Sequence, residues 1–416
     1  MKYRFGNVCI VGLGYIGLPT AAVLASRGVQ VAGVDTDQHI VRTVNRGEVH
    51  IVEPDLDVLV RGAVSAGKLK AFAEPQPADA FILAVPTPFK DDHKPDLTYV
   101  EAATRSIAPS LKRGDLVVLE STSPVGTTEK VAEWLAEARP DQSFPPQAGA
   151  LADISVAHCP ERVLPGKILT ELINNDRVIG GLTQGCAERA RDLYRVFVQG
   201  DCFLTDARTA EMCKITENSF RDVSIAFANE LSVICDKIGI NVWELIKLAN
   251  RHPRVNILNP GPGVGGHCIA VDPWFIVDAA KEEARLIRTA REVNDSKPDY
   301  IFEKIRQVAS KHARSDIACL GLSFKANIDD LRESPALRIV QRIAAELPNT
   351  LWLVEPHIDS LPSSLAKYEH VRLTNADEAI RSSNLVVLLV DHQDFFDIDR
   401  TLLAVKDVID TRGIWG

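Results

Sequence analysis

Short apolar runs alternate with helix-period segments over residues 1–205, a purely helical pattern fills 206–312, and the alternation returns over 313–416. Together these predict an α/β chain: two Rossmann-like doubly wound domains joined by a central helical dimerisation region. A length of 416 residues suits two or three domains, and 46% hydrophobic content supplies their cores.

In the first domain, strands are expected over 8–11, 31–35, 80–85, 116–120 and 154–158. The apolar stretch of the first could pass for the core of a secretion signal. It runs instead into Gly12-Leu13-Gly14-Tyr15-Ile16-Gly17 and a helix reaching Gly28, so it reads as a strand. In this G-x-G-x-x-G pattern Gly12 permits the tight turn, Gly14 lets a pyrophosphate approach, and Gly17 allows close helix–strand packing. The helix N-terminus beyond them offers N–H groups to phosphate. Asp35, closing the second strand, would accept from ribose hydroxyls and repel a 2′-phosphate, which favours NAD over NADP; a helix cap is its competing role. Arg42 lies too far along the next helix to reverse that choice. The loops at 85–88 and 120–128 leave strand ends where such folds bind ligands, making Thr87, Thr122 and Thr128 candidates for cofactor or substrate hydrogen bonds, with ordinary turn chemistry as the alternative.

In the middle region, Met212, Ile215, Val223, Phe227, Leu231 and Ile234 recur at helical steps, and Gly239 is a stop signal. Further helices are expected over 242–250 and 282–312, the latter bent at Pro298, and this region is a natural dimer interface. Lys214, Asn218 and Arg221 share one helix face. That face is either a solvated stripe or a set of catalytic groups. A lysine in a desolvated cleft can take a hydroxyl proton, and Asn218 beside it can hold an oxyanion. The run Gly261-Pro262-Gly263-Val264-Gly265-Gly266-His267-Cys268 places a thiol where backbone can approach a ligand. There Cys268 can add to a carbonyl, or it is one more inert thiol, a reading its glycine loop and neighbouring His267 oppose. Asp272, four residues on, either orients a hydrolytic water or caps a helix begun by Pro273. A nicotinamide site with a nucleophilic cysteine points to oxidation of an alcohol through the aldehyde to the acid, using two cofactor molecules.

The last domain shows strands over 317–321, 351–354, 385–390 and 408–410, apolar on both faces. Its opening, Gly321-Leu322-Ser323-Phe324-Lys325, copies the first strand–helix turn without the second and third glycines and sets a lysine in their place. It reads as a doubly wound domain that holds a nucleotide differently; two unrelated α/β domains would share the same periodicity.

A net charge of −9 argues against general binding to nucleic acid or anionic membranes, and no apolar run reaches the length of a span. Eight scattered cysteines, with no C-x-x-C pair and no Cys/His ligand spacing, suggest reduced thiols in a cytoplasmic protein without structural zinc or other metal.

The segments GLGYIGLP, STSPVGTT, CPERVLPG, AEMCKITENSFRDV, GPGVGGHCIAVDPWF and GLSFKANIDDLRESPA together resemble the UDP-glucose/GDP-mannose dehydrogenase family, in family order and across nearly the whole chain. The resemblance implies an NAD-binding domain, a helical dimerisation region forming a homodimer, and a UDP-binding domain. It casts Cys268 as nucleophile and Lys214 as acid/base. Arg162, Val163, Lys214, Asn218, Arg221, His252, Arg254, Gly265, Phe324, Lys325 and Arg412 would contact a UDP-sugar. Tyr15, Ile16, Asp35, Thr87, Thr128 and Arg332 would contact NAD, and Glu161 would help manage water or protons. Where UDP-glucose dehydrogenases carry a Lys-Asp pair after the cysteine, this chain has Val271-Asp272, the form of the branch acting on 2-acetamido sugars. The expected reaction is four-electron oxidation of UDP-N-acetyl-D-mannosamine at C6, supplying uronic acid for bacterial surface polysaccharides. UDP-N-acetylglucosamine and UDP-glucose are alternative substrates. A two-electron β-hydroxyacid dehydrogenase and a catalytically dead nucleotide-sugar sensor are the rival classes.

Overall fold

The computed structural model describes residues 5–90, 93–164, 166–266, 268–311 and 316–415. They fall into two compact units, one of residues 1–217 with 274–279, the other of 218–273 with 280–416.

The first unit carries β1 (Asn7–Val11), β2 (Gln30–Val34), β3 (Leu69–Phe72), β4 (Ala80–Leu83), β5 (Leu116–Leu119), β6 (Ser155–His158), β7 (Arg177–Gly181) and β8 (Cys202–Asp206). They form one sheet in the order β3-β2-β1-β4-β5-β6-β7-β8, parallel except where β7 runs against β6. The order reverses direction between β1 and β4, which opens the crevice where doubly wound sheets take ligands. β4 and β5 are buried along their whole length, because helices cover both faces and leave no polar side to the strand. Leu13, Leu18 and Leu24 pack with Val8 and Ile10 on one face, while Val100, Ile107 and Val131 pack with Phe81 and Val117 on the other.

Three strands of this sheet are absent from the sequence-based expectation. β3 is a short edge strand, and β8 is an edge whose Phe203 and Leu204 stay exposed, so neither shows a buried apolar run. β7 ends in Gly180-Gly181, which periodicity reads as a turn; here a side chain on Gly180 would strike the Asp206 carbonyl at 2.5 Å.

The second unit carries β9 (Ile317–Leu320), β10 (Leu351–Val354), β11 (Val371–Leu373), β12 (Leu385–Leu388) and β13 (Asp407–Asp410). They form a parallel sheet in the order β11-β10-β9-β12-β13. Only the three-residue edge strand β11 lies outside the expected set. Ile301, Phe302 and Ile305 of the helix Arg285–Ala309 pack on one face with Cys319 and Val387, and Ile380 and Phe395 cover the other with Ala318 and Val386. That helix starts at Arg285 rather than 282 and runs through Pro298.

The helix Ala207–Ile238 is continuous over 32 residues. Within the second unit it is fastened to Arg285–Ala309 by a buried network: Arg291 donates to Asp222 at 2.6 Å, Asn294 donates to Asp222 at 2.8 Å, and Asn229 donates to Asn294 at 2.9 Å. Among the described residues, no helix is long and apolar enough to cross a membrane.

Candidate active site

In the first unit the glycine turn after β1 is shaped as a phosphate cradle requires. Gly12 has φ of 96°, and a Cβ there would lie 2.4 Å from the Ala84 carbonyl oxygen. A Cβ on Gly17 would lie 1.8 Å from the Gly12 carbonyl oxygen, so both glycines are demanded by the fold itself. Gly14 is different: nothing lies within 4 Å of the place its Cβ would take, and the residue is exposed. That open space over the N-terminus of the helix Gly17–Ser26 is what a dinucleotide pyrophosphate needs. Tyr15 is exposed and Ile16 partly buried beside it.

Asp35 is partly buried; its Oδ2 accepts from the Leu13 N–H at 3.0 Å and its Oδ1 from Asp37 N–H at 2.9 Å. Asp37, not Asp35, caps the helix Gln38–Asn45 by accepting from His39 N–H. The carboxylate of Asp35 therefore stands against the glycine turn, where a ribose would lie. The Thr87 hydroxyl donates to the Thr122 carbonyl, joining the two loops that leave β4 and β5. The Thr128 hydroxyl and N–H both donate to Glu211, at 2.6 and 2.7 Å, and Gly126 N–H donates to the same carboxylate at 2.6 Å. Glu211 is buried, and sequence reasoning passed over it because its partner loop lies more than eighty residues away.

Lys214 is partly buried in the first unit. Arg162, also partly buried, pairs with Glu217 at 2.6 Å, beside Val163. Glu161 is buried and held by the buried Arg177, while its other oxygen accepts from Arg162 N–H.

In the second unit, Asn229 accepts from Gly261 N–H at 2.9 Å and so ties the start of the glycine run to the helix Ala207–Ile238. A Cβ on Gly265 would sit 2.4 Å from the Glu333 carbonyl oxygen and 3.0 Å from Cβ of Phe324; one on Gly266 would press on the Phe324 ring at 3.0 Å. Gly265 and Phe324 are thus brought together. Cys268 is exposed, whereas Cys9, Cys159, Cys186, Cys235 and Cys319 are buried and Cys202 and Cys213 partly so; no two of the eight form a disulfide. Burial pushes the Cys9 thiol up to about 11 and those of Cys159 and Cys319 higher still, which silences them as nucleophiles. His267 lies outside the described residues. The Cys268 carbonyl accepts from Val271 and Asp272 N–H, closing one turn, and the helix Asp272–Ala279 follows directly. Asp272 is 4% exposed and its carboxylate accepts from the Asn218 side-chain amide, so three proposed catalytic residues of this unit are linked through one turn and one hydrogen bond.

The remaining predicted contacts are more dispersed. Arg221, His252 and Arg254 are exposed, with His252 Nδ1 accepting from Arg254 N–H at 3.3 Å. Lys325 and Arg332 are exposed, and Arg332 pairs with Asp330 at 2.6 Å. Arg412 pairs with Asp391 at 2.8 Å, and its guanidinium lies against Gly261, where a Cβ would be 2.4 Å away. Among the described residues, one group, Glu355, His357 and His392, brings three possible metal-ligand atoms within 4.8 Å of one another. Its two buried members are committed to hydrogen bonds with the protein.

A doubly wound sheet with an open glycine turn and an acid at the end of its second strand defines an NAD-binding dehydrogenase domain, and the second unit carries an exposed thiol in a glycine loop. Family comparison agrees segment by segment. The NAD binding domain of the UDP-glucose/GDP-mannose dehydrogenase family matches residues 6–198, its central domain 208–296, and its UDP binding domain 318–416. The chain is 65% identical over 411 residues to the NDP-N-acetyl-D-galactosaminuronic acid dehydrogenase of Ralstonia nicotianae, covering 99% of this chain and 96% of that one. It is 59% identical over 419 residues to the UDP-N-acetyl-D-mannosamine dehydrogenase of Escherichia coli (strain K12), covering 99% of each. The solved UDP-D-ManNAc dehydrogenase of Pyrococcus horikoshii superposes with a TM-score of 0.86 at 39% identity, over 98% of this chain and 96% of that one. The chain belongs to the UDP-glucose/GDP-mannose dehydrogenase family.

Proposed function

We propose that this protein oxidises the C6 hydroxyl of UDP-N-acetyl-D-mannosamine to the carboxylate, through intermediates held on Cys268. The single observation that carries this reading is the exposed Cys268 thiol in a glycine turn whose next acid, Asp272, holds Asn218. In this reading NAD is held by Gly12, Gly14, Tyr15, Ile16, Gly17, Asp35, Thr87, Thr122, Thr128 and Arg332. When bound, NAD supplies the hydride acceptor, once for each two-electron step.

The chain's own residues do the rest. Lys214 takes the proton of the C6 hydroxyl, directly or through a water on Asp272, as the first hydride leaves. The Cys268 thiolate adds to the aldehyde and forms a thiohemiacetal, whose oxyanion is met by the Asn218 amide and the Lys214 ammonium. Loss of the second hydride leaves a thioester on Cys268. Water oriented by Asp272 adds to it, releasing the uronate and returning the thiolate. Arg162, Val163, Arg221, His252, Arg254, Gly265, Phe324, Lys325 and Arg412 hold the UDP-sugar, the arginines suiting a diphosphate through paired N–H donors.

The division into 1–205, 206–312 and 313–416 assigns cofactor, dimer contact and UDP to successive regions. Homodimer formation is supported by Phe220, Phe227, Ile234 and Ile238, which stay 45–75% exposed at seven- and four-residue steps along one helix. Eight cysteines without a disulfide support a reducing, cytoplasmic setting.

A second substrate is favoured by one observation, the 65% identity to a relative named for N-acetyl-D-galactosaminuronic acid. Both names share the 2-acetamido group and differ in ring configuration. The deciding experiment follows NADH absorbance with excess NAD and limiting nucleotide sugar, one sugar at a time. Two NADH per UDP-N-acetylmannosamine, with the galacto, gluco-2-acetamido and glucose analogues inert, is the expected result. One NADH per sugar would remove Cys268 from its covalent role. Turnover confined to another sugar would keep the chemistry and change the substrate.

A further inference from the structure

We propose that Glu355 and His392 are positioning residues for the UDP-sugar: they hold the loop 322–327 in the conformation that presents Phe324 and Lys325. The proposal rests on the reading of those two residues as substrate contacts.

The pair comes from two strands that flank β9. Glu355 follows β10, His392 lies beyond β12, and their side chains are buried, at 4% and 0% exposure of the residue. Glu355 Oε2 accepts from Leu322 N–H at 2.7 Å and Ser323 N–H at 3.0 Å, which pins the start of the loop. Its Oε1 accepts from His357 N–H at 3.3 Å. His392 pins the other end, its Nδ1 accepting from Asn327 N–H at 3.0 Å. With Nδ1 accepting, Nε2 is the donor nitrogen, and it faces Glu355 Oε2 at 3.1 Å and Ser323 Oγ at 3.3 Å. One hydrogen-bonded chain therefore runs from the loop's first N–H groups through the carboxylate and the imidazole to its last.

The first residues of the loop are buried, and the Ser334 hydroxyl also donates to the Leu322 carbonyl at 2.6 Å. Ser323 Oγ donates to the Lys325 carbonyl at 2.7 Å, and Phe324 N–H donates to the Asp330 carbonyl at 3.1 Å. Asn327 adopts φ of 61°, a left-handed conformation that needs support from outside, and its side chain accepts from Gln393 N–H at 2.8 Å, beside His392. Lys325 is exposed on the anchored segment, and Phe324 lies with its Cβ against Gly265 and its ring against Gly266, two residues before Cys268. Releasing the anchors would let the ring leave the cysteine turn and the lysine leave its place.

The test uses the full-length protein with His392→Phe, His392→Asn and His392→Gln, measuring UDP binding by calorimetry and the separate KM values for UDP-sugar and NAD. Phe removes both ring nitrogens. Asn places an oxygen where Nδ1 stood and still accepts from Asn327; Gln reaches instead to the Nε2 position. The expected result is roughly tenfold weaker UDP binding and a matching rise in UDP-sugar KM for His392→Phe, with NAD KM within about twofold of the parent. Asn should recover most of the loss and Gln little of it. If His392→Phe does not fold, the Asn-against-Gln contrast decides alone. UDP affinity unchanged in His392→Phe, an equal rise in NAD KM, or equal behaviour of Asn and Gln would each overturn the proposal. Failure of the underlying reading looks different: Phe324→Ala and Lys325→Ala would then leave UDP binding as it was.

Discussion

After β1 the chain turns at Gly12 with φ of 96°, and after β9 it turns at Gly321 with φ of 92°. Both glycines press on the exit of the neighbouring strand: a Cβ on Gly12 would meet Ala84 and one on Gly321 would meet Val390, each at 2.4 Å. An acid closes the second strand in each sheet and accepts from the N–H one residue past the turn glycine, Asp35 from Leu13 at 3.0 Å and Glu355 from Leu322 at 2.7 Å. There the likeness stops. Asp35 remains partly open beside an exposed Gly14, whereas Glu355 is buried and its nearest side-chain partner is His392. The first joint keeps its donors and space for a dinucleotide. The second fills the same space with the paired side chains of Glu355 and His392 and carries an exposed lysine, Lys325, on its loop.

The sharpest way to break this parallel is at the two shared glycines. Gly12→Ala and Gly321→Ala each add a methyl group that collides with backbone or a packed side chain in a left-handed conformation, at a cost of about 3 kcal/mol. Each should lower the thermal unfolding transition of its own unit in calorimetry. A neutral Gly321→Ala would show that the second joint does not repeat the first. Next in size is Asp35→Asn, expected to raise NAD KM about tenfold and to narrow the preference for NAD over NADP by a similar factor, because the charge that repels a 2′-phosphate is gone. An unchanged NAD/NADP ratio would remove Asp35 from the ribose site.

Gly14→Ala separates folding from binding at the same turn. With nothing within 4 Å, the added methyl should leave the unfolding temperature alone, yet it enters the open space proposed for the pyrophosphate. NAD KM should rise several-fold while stability stays within about 0.5 kcal/mol. Equal NAD KM in the two proteins would place the phosphates elsewhere.

What could be read from the sequence, and what could not, follows the same divide between local and distant pairing. Val8–Val11 with its glycines, the strand ending before Asp35, and the apolar runs at Leu116 and Leu385 announce themselves because strand, turn and helix signals are adjacent in the chain. Edge strands such as Val371–Leu373 and Cys202–Asp206 bury too little to show a pattern. Asn218 and Asp272 were each legible as candidates, but the hydrogen bond that joins them spans 54 positions and has no spacing signature. Glu355 and His392, 37 apart, carried no signal at all: a buried acid after an apolar strand looks like any strand terminus until the fold supplies its partner.

The smallest effect tests two buried carboxylates that the sheets treat in opposite ways. Burial pushes Glu120 up to about 8, with Glu161 adding to it against Arg177 and the Tyr194 hydroxyl that donates to it. Burial also opposes ionisation of Glu355, but the His392 bond and the Leu322 and Ser323 N–H groups outweigh it and hold that carboxyl below its ordinary value. The signs for stability are therefore reversed. For Glu120, stability is fully present below the ordinary value of 4.5 and is lost as pH rises towards about 8, since the native state keeps a proton that the unfolded chain releases. For Glu355, stability is present above 4.5 and is lost as pH falls through its lowered value. Glu120→Gln should thus gain on the parent as pH is raised from about 6 to about 9, by a few degrees in unfolding temperature, while Glu355→Gln should lose at both. A Glu120→Gln advantage that does not grow with pH would mean that Glu120 is already ionised at neutrality. Arg177 would then have to balance two buried carboxylates, Glu120 and Glu161, with one guanidinium.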